Sequence, residues 1–159
     1  QKEVNVWKDL RHPNIVEFYG YNYSSAPMFL LSSLKEEGDA LTFLLSNPDA
    51  NRAKPLYDVS LGLQYLHSHS IVHADLKALN ILVDKHGIAC LCDFGLSLVR
   101  MHTTSNTSNS INSGGQGTLR WMAPEQMDGG RATLKSDIYS FGMTIYEASC
   151  IQQPNFVII

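Results

Sequence analysis

The sequence predicts a mixed α+β fold. Short runs of apolar and aromatic residues, typical of strands, occur at residues 15–19, 28–31 and 81–83. Between them lies a helical stripe, because apolar residues recur at steps of three or four in residues 56–66. With 159 residues, of which 44% are hydrophobic, the chain has enough apolar material for one packed domain.

The N-terminal third predicts two helices and two strands. Apolar residues have helical spacing in residues 4–10, and this helix should end before Pro13, because a proline disfavours helical backbone in the residue that precedes it. The runs at 15–19 and 28–31 predict two strands of one sheet. Residues 41–45 then predict a short helix that stops at an Asn-Pro pair.

The middle of the chain predicts a long helix followed by short strands. The helix has about four turns and could begin at Pro55, since proline suits the first turn of a helix. Brief β-type runs follow at residues 71–72, 81–83 and 88–91. Residues 84–87, Asp-Lys-His-Gly, are a plausible hairpin turn between the last two.

The C-terminal part predicts a loop and a final helix. Residues 103–117 are almost entirely Ser, Thr, Asn and Gly, which cannot bury a core, so we expect a mobile loop or a low-complexity linker. Ser136 or Asp137 can cap the final helix. We expect exposed apolar faces on this helix and at residues 156–159, which would favour aggregation or a partner.

Charge and composition disfavour several classes of protein. The net charge is −3, and no block of Lys and Arg could neutralise a run of phosphates, so we expect no nucleic-acid partner. No stretch approaches the roughly 18 apolar residues of a membrane span, so we expect no membrane segment. Cys90, Cys92 and Cys150 are few and odd in number, which fits reduced thiols in a cytoplasmic protein.

Two polar motifs carry residues suited to phosphoryl transfer. Residues 73–80, His-Ala-Asp-Leu-Lys-Ala-Leu-Asn, gather Asp75, Lys77 and Asn80 within six positions. A carboxylate can orient a hydroxyl and take its proton, a cation can contact a γ-phosphate, and an amide oxygen can bind Mg²⁺. Asp93, followed by Phe and Gly at the end of a predicted strand, offers another oxygen ligand.

Two further motifs identify a family. Residues 117–125 are Gly-Thr-Leu-Arg-Trp-Met-Ala-Pro-Glu, and residues 135–142 are Lys-Ser-Asp-Ile-Tyr-Ser-Phe-Gly. In order and spacing, the four motifs resemble the signature set of the protein kinases. The last two look most like the tyrosine-kinase-like group of serine/threonine kinases, and Lys77 also resembles the serine/threonine form. The resemblance covers essentially the whole chain.

The resemblance implies a catalytic site that uses ATP and Mg²⁺ and acts on a protein Ser or Thr hydroxyl. Asp75 would be the catalytic base and Lys77 the γ-phosphate contact. Asn80 and Asp93 would be the metal ligands, and Thr118 would hold Asp75.

The resemblance also implies a nucleotide pocket. Glu3 would be the αC glutamate that pairs with a strand-three lysine. Ser32 would be the gatekeeper, and Leu82 would be the apolar floor under adenine. The hinge that faces adenine would consist of Ser33, Leu34 and Lys35. Cys92, directly before Asp93, would line the back of the pocket.

The same comparison implies an incomplete two-lobe fold. Residues 1–32 would be the remnant of the N-terminal lobe, 33–35 the hinge, and 36–159 the C-terminal lobe through helix αF. Trp7, Phe18, His73 and Phe94 would form the regulatory spine, and Asp137 would anchor it. We therefore expect a partial kinase domain.

The chain departs from the pattern at Ala74. This residue replaces the arginine that usually precedes the catalytic aspartate and holds a phosphate on the activation loop. The glycine-rich loop and the strand-three lysine would lie upstream of Glu3. A catalytically inactive, kinase-like binding or scaffold module is therefore the alternative function. The upstream sequence would discriminate between the two.

Overall fold

The chain adopts the predicted mixed α+β fold, seen in a computed structural model that describes residues 7–24, 26–27, 29–93 and 119–150. The strands in these ranges are β1 (Phe18–Asn22), β2 (Phe29–Ser32), β3 (Gly38–Asp39), β4 (Ile81–Val83) and β5 (Ala89–Leu91). The α-helices are α1 (Ala40–Ser46), α2 (Ala53–Ser68), α3 (Pro124–Met127) and α4 (Leu134–Cys150). The predicted loop at 103–117, the apolar end at 156–159 and residues 4–6 of the predicted helix at 4–10 lie outside the described residues. The described remainder of that helix, residues 7–10, closes a turn in which the Leu10 amide donates to the Trp7 carbonyl at 3.1 Å.

The first sheet consists of β1 and β2, which pair antiparallel with Tyr21 opposite Leu30. The first predicted strand, residues 15–19, overlaps β1 by only two residues. Ile15 instead forms a single parallel bridge with Leu91 of β5, so this segment links the two sheets.

The second sheet has the antiparallel order β3-β4-β5. The predicted hairpin turn joins β4 to β5: the Gly87 amide donates to the Asp84 carbonyl at 2.8 Å, and Gly87 has a φ of +72°, which glycine adopts without strain. The Asp84 side chain accepts from the amides of His86 and Ile88 at 2.9 and 3.0 Å. The turn is therefore specified by its own residues.

The predicted helices α1 and α2 are both present. Asp39 caps α1 by accepting from the Thr42 amide at 2.9 Å. Helix α2 begins at Ala53, two residues before the predicted start at Pro55. The predicted strand at 71–72 is wrong: the Ile71 amide donates to the Leu66 carbonyl at 2.9 Å, so these buried residues finish the turn that follows α2.

The predicted cap of the last helix is also wrong. Helix α4 begins at Leu134, and Thr133 and Ser136 exchange hydrogen bonds at its start: the Ser136 amide donates to Thr133 Oγ1 at 3.1 Å, and the Thr133 amide donates to Ser136 Oγ at 2.8 Å. Its buried residues are mostly polar, namely Ser136, Asp137, Ser140, Thr144, Glu147 and Ala148. Ile138 is 57% exposed, as expected for an apolar face that nothing in the described chain covers.

The main core lies between α2 and the second sheet. It contains Val59, Leu63 and Leu66 of α2 with Val83 and Leu91 of the strands. Gly62 permits close packing here, because a Cβ atom at this position would lie 2.6 Å from the Asn14 carbonyl oxygen. Among the described helices, none is long and apolar enough to cross a membrane.

Candidate functional site

Helix α4 holds the start of the polar motif, residues 73–80, through hydrogen bonds to its backbone. Asp137 is 1% exposed, and its carboxylate accepts from the backbone amides of His73 and Ala74, both at 2.8 Å. It also lies 2.9 Å from His67 Nε2. Ala74 has a φ of +62°, which costs roughly 1–2 kcal/mol in a residue other than glycine. Asp137 thus fixes the strained backbone that precedes Asp75.

The side chains of Lys77 and Asn80 converge on one carboxylate oxygen of Asp75. Lys77 Nζ lies 3.0 Å from Asp75 Oδ2, and Asn80 Nδ2 donates to the same atom at 2.9 Å and to the Asp75 carbonyl at 2.7 Å. Asp75 Oδ1 is buried and has no hydrogen-bond partner among the described residues. Thr118, the partner implied by the family resemblance, lies outside them.

Asp93 lies beside this cluster. The Cys92 amide donates to the Asn80 carbonyl at 3.0 Å, which joins the residue before Asp93 to the end of the polar motif. The imidazole of His73, which is fully buried, lies close enough to Asp75 and Asp93 for both negative charges to affect its pKa. Burial lowers the pKa of His73, whereas the negative charges of Asp137, Asp75 and Asp93 act in the opposite direction.

Asn80 and Asp93 offer side-chain oxygens of the kind that bind a magnesium ion. Asn80 directs its amide hydrogens towards Asp75, which leaves its side-chain oxygen as the atom for a metal. Asp93 is exposed, so its carboxylate is available to a ligand. Mg²⁺ prefers such oxygen ligands and keeps several waters or phosphate oxygens beside them.

Leu82, the predicted floor under adenine, belongs to a small apolar cluster. Leu82 packs with Val16, Cys90 and Cys92, and Trp7 packs on the same group. Asp39 is the register partner of Leu82 across β3 and β4. Sequence reasoning did not select Val16 or Asp39, because backbone contacts between distant segments bring them near Leu82. Asp39 pairs with Leu82, and the Val16 amide donates to the Leu91 carbonyl at 3.0 Å.

The predicted hinge residues follow β2 directly. The Ser33 amide donates to the Glu17 carbonyl at 2.9 Å, and Ser33 Oγ accepts from the Glu17 amide at 3.2 Å. The Gly38 amide donates to the Lys35 carbonyl at 3.2 Å, which closes a turn before β3. Leu34 is 81% exposed, and Ser32 is the last residue of β2.

Two assigned site residues lie outside the described chain, namely Glu3 and Thr118. The same is true of Phe94 in the predicted spine. Two other spine positions are in contact, since the rings of Trp7 and Phe18 have centroids 5.0 Å apart. The roles of these residues stay predictions.

Sequence reasoning missed Glu147 and Trp121. Glu147 of α4 is 5% exposed, and its Oε2 accepts from the Ala78 amide at 2.9 Å and from Trp121 Nε1 at 3.1 Å. The sequence signal was a glutamate among apolar and small residues on one helix turn. A glutamate is uncommon in a buried position unless its charge is paired.

The buried thiols give a testable consequence of this packing. Burial raises the pKa of Cys92, with the neighbouring Asp93 charge as a second cause, and Cys90 is also fully buried. Because the thiolate is the reactive form, we expect iodoacetamide at pH 8 to alkylate the partly exposed Cys150 at least about tenfold faster than Cys92. Peptide mass spectrometry over time measures both rates in one sample. Equal rates would contradict the packing described around Cys92.

Comparison with known proteins assigns the family. The family model for protein tyrosine and serine/threonine kinases matches residues 1–157. The chain therefore belongs to the protein kinase family, as the four motifs predicted.

Its relatives include serine/threonine kinases of the tyrosine-kinase-like type. The chain is 36% identical over 161 residues to serine/threonine-protein kinase CTR1 of Arabidopsis thaliana, covering 96% of the chain and 19% of that protein. It is 39% identical over 157 residues to serine/threonine-protein kinase RUNKEL of the same plant, covering 96% of the chain and 11% of that protein. Tyrosine-protein kinase SRK2 of Spongilla lacustris is 32% identical over 149 residues, covering 91% of the chain and 40% of that protein. The chain thus spans less than half the length of each of these relatives.

Proposed function

We propose that this chain is part of a serine/threonine kinase that transfers the γ-phosphoryl group of ATP to protein hydroxyls. The observation that carries the proposal is that Lys77 Nζ and Asn80 Nδ2 both contact Asp75 Oδ2, at 3.0 and 2.9 Å. These two contacts fix the carboxylate of the proposed base beside a cation and the amide of a proposed metal ligand. Such preorganised charge is the main means of catalysing phosphoryl transfer.

Each residue of the cluster has a distinct task in this proposal. Asp75 orients the acceptor hydroxyl and takes its proton while the hydroxyl oxygen bonds to the γ-phosphorus and the bond to the β-phosphate oxygen breaks. Lys77 contacts the γ-phosphate. Asn80 and Asp93 hold Mg²⁺, which when bound neutralises charge on the phosphate oxygens.

The preference for serine and threonine rests on two observations. Lys77 stands two positions after Asp75, where the resemblance implies the serine/threonine form. Serine/threonine-protein kinases CTR1 and RUNKEL are 36% and 39% identical to the chain, compared with 32% for tyrosine-protein kinase SRK2. We therefore expect a protein substrate with a Ser or Thr acceptor.

In this proposal, residues 1–32 would belong to the N-terminal lobe, 33–35 would be the hinge and 36–159 would belong to the C-terminal lobe. Adenine would lie between the hinge and Leu82. The free thiols of Cys90, Cys92 and Cys150 suit a reducing compartment, which supports a cytoplasmic site of action.

Nucleotide binding is the direct test of the proposed site. In the protein that carries this chain, we expect ATP with Mg²⁺ at about 100 times its dissociation constant to raise the free energy of unfolding by roughly 2.7 kcal/mol. The gain should shrink when EDTA removes the metal, because Asn80 and Asp93 bind the nucleotide through it. Denaturant unfolding with and without each ligand measures the change.

The outcome separates the enzyme from the alternative function. Metal-dependent stabilisation together with label transfer from γ-labelled ATP to serine or threonine in a mixed protein substrate supports the kinase. A protein that gains no stability from Mg²⁺ and ATP, and transfers no label, would instead be a kinase-like binding or scaffold module.

A further inference from the structure

Glu147 occupies an unusual position for a glutamate. It lies on α4 with 5% of its surface exposed, and one oxygen, Oε2, accepts two hydrogen bonds from segments far apart in the sequence. One donor is the backbone amide of Ala78, at 2.9 Å. The other is the indole nitrogen of Trp121, at 3.1 Å. Hydrogen bonds of this charge-assisted kind are stronger than neutral ones, and they weaken steeply as their geometry is lost.

The first bond fixes the backbone inside the proposed catalytic cluster. Ala78 directly follows Lys77 and begins the short 3-10 turn Ala78–Asn80. Asn80 at the end of that turn donates to Asp75. A shift of the Ala78 amide would therefore move the proposed phosphate contact on one side and the proposed metal ligand on the other.

The second bond ties the cluster to another segment. Trp121 ends the 3-10 turn Leu119–Trp121, and α4 holds it twice. Its indole binds Glu147, and its carbonyl accepts from Ser140 Oγ at 2.6 Å. Glu147 Oε2 thus bridges the turn at 78–80 and the turn at 119–121.

Burial and charge agree with this role. Burial raises the pKa of Glu147, whereas the two hydrogen bonds and the nearby positive charge of Lys77 favour its ionised form. The more distant charge of Asp39 acts in the same direction as burial.

We propose that Glu147 is a positioning residue for phosphoryl transfer, which sets the turn carrying Lys77 and Asn80 in register with the turn carrying Trp121. It touches neither substrate nor metal and acts through the Ala78 amide. This proposal rests on the kinase function proposed above.

The test compares three variants of α4 in the protein that carries this chain. Glu147→Ala removes both accepted bonds, and we expect kcat to fall about tenfold or more, because small misplacements of reacting groups are costly. We expect the stabilisation by Mg²⁺ and ATP to weaken as well, because Asn80, a proposed metal ligand, lies in the same turn as Ala78. Glu147→Gln keeps a side-chain oxygen that can accept from the same donors, so it should recover most of the lost kcat.

Thr144→Ala is the matched control for stability. Thr144 lies on the same helix, is fully buried, and its hydroxyl donates only to the Ser140 carbonyl at 2.8 Å in the described structure. A merely structural role of Glu147 would make Glu147→Ala and Thr144→Ala alike, with parental kcat for the folded fraction. That result, or an equal loss of kcat in Glu147→Gln and Glu147→Ala, would overturn the proposal.

A variant of the partner residue keeps the test decisive if Glu147→Ala fails to fold. Trp121→Phe removes the indole donor while keeping an aromatic ring. We expect a several-fold lower kcat with parental binding of Mg²⁺ and ATP, and a parental kcat would overturn the proposed link. If the parent protein binds Mg²⁺ and ATP but transfers no phosphate, the proposed function fails instead, and this is seen before any variant is made.

Discussion

Asp75→Asn is expected to lower the rate of phosphoryl transfer by roughly a hundred- to a thousandfold. Asparagine has nearly the same shape, and its oxygen can still accept from Asn80 or Lys77, but it cannot take a proton at neutral pH. The loss should therefore fall on kcat. Stabilisation by Mg²⁺ and ATP should remain, since the metal ligands are untouched. Initial rates with γ-labelled ATP and a Ser/Thr protein substrate measure kcat, and denaturant unfolding measures the stabilisation by Mg²⁺ and ATP.

Asp93→Asn is the matched control for this prediction. It removes the other carboxylate of the site, and we expect weaker binding of Mg²⁺ and ATP. Asparagine is preferable to alanine here, because Asp93 has a φ of +56° and asparagine tolerates this conformation better than most residues. If both variants transferred phosphate at the parental rate, the assignment of Asp75 and Asp93 would be wrong.

Local features of the fold could be predicted from the sequence where a few neighbouring residues determine them. The turn at 84–87 combines a glycine with φ +72° and an aspartate that binds two nearby amides. Helix α2 has its apolar residues at helical spacing, and Val59, Leu63 and Leu66 are buried as this spacing predicts. These features depend on contacts within a few residues, which the sequence displays directly.

Features set by contacts between distant segments could not be predicted in the same way. On α4 the sequence predicted an exposed apolar face, but its hydropathy did not indicate that Asp137, Ser140, Thr144 and Glu147 would be buried. The partners of Asp137, Ser140 and Glu147 include backbone amides, an indole and a carbonyl from other parts of the chain, whereas Thr144 donates to Ser140 of its own helix. Hydropathy alone carries no signal for such partners, because a polar residue is buried only when its hydrogen bonds are satisfied elsewhere.

The candidate site shows the same division. The spacing of Asp75, Lys77 and Asn80 suggested that they act together, and the structure brings all three within hydrogen-bonding or ion-pair distance. Their convergence on one oxygen of Asp75 depends on the backbone path between them. The bond from the Cys92 amide to the Asn80 carbonyl, which brings Asp93 near, joins residues from separate elements.

The second large effect is expected at Asp137, whose carboxylate anchors the segment before Asp75. Three donors converge on it, namely the amides of His73 and Ala74 and the ring of His67. Removing the acceptor leaves the two backbone amides in a buried site without a partner. Each such loss costs about 1–3 kcal/mol. It also releases the strained backbone at Ala74, whose amide donates to Asp137 and whose φ is +62°.

Asp137→Ala should therefore lower the free energy of unfolding by about 3–5 kcal/mol, as for other disrupted buried charge networks. The folded fraction should transfer phosphate poorly, because Asp75 follows the freed segment directly. Asp137→Asn keeps one acceptor oxygen and should lose less stability. Urea denaturation of the protein that carries this chain measures both changes.

A second substitution separates the anchoring role from a general loss of packing. In the Asp137→Asn background, Ala74→Gly should restore part of the lost activity, because glycine adopts the positive φ without the steric cost that alanine carries. In the parent, where Asp137 already holds this backbone, the same change should have a smaller effect on transfer. The anchoring role would be contradicted by an Asp137→Ala protein within about 0.5 kcal/mol of the parent, the range expected of a surface substitution. Equal effects of Ala74→Gly in both backgrounds would contradict it as well, since the strain at Ala74 would then be independent of the carboxylate that receives its amide.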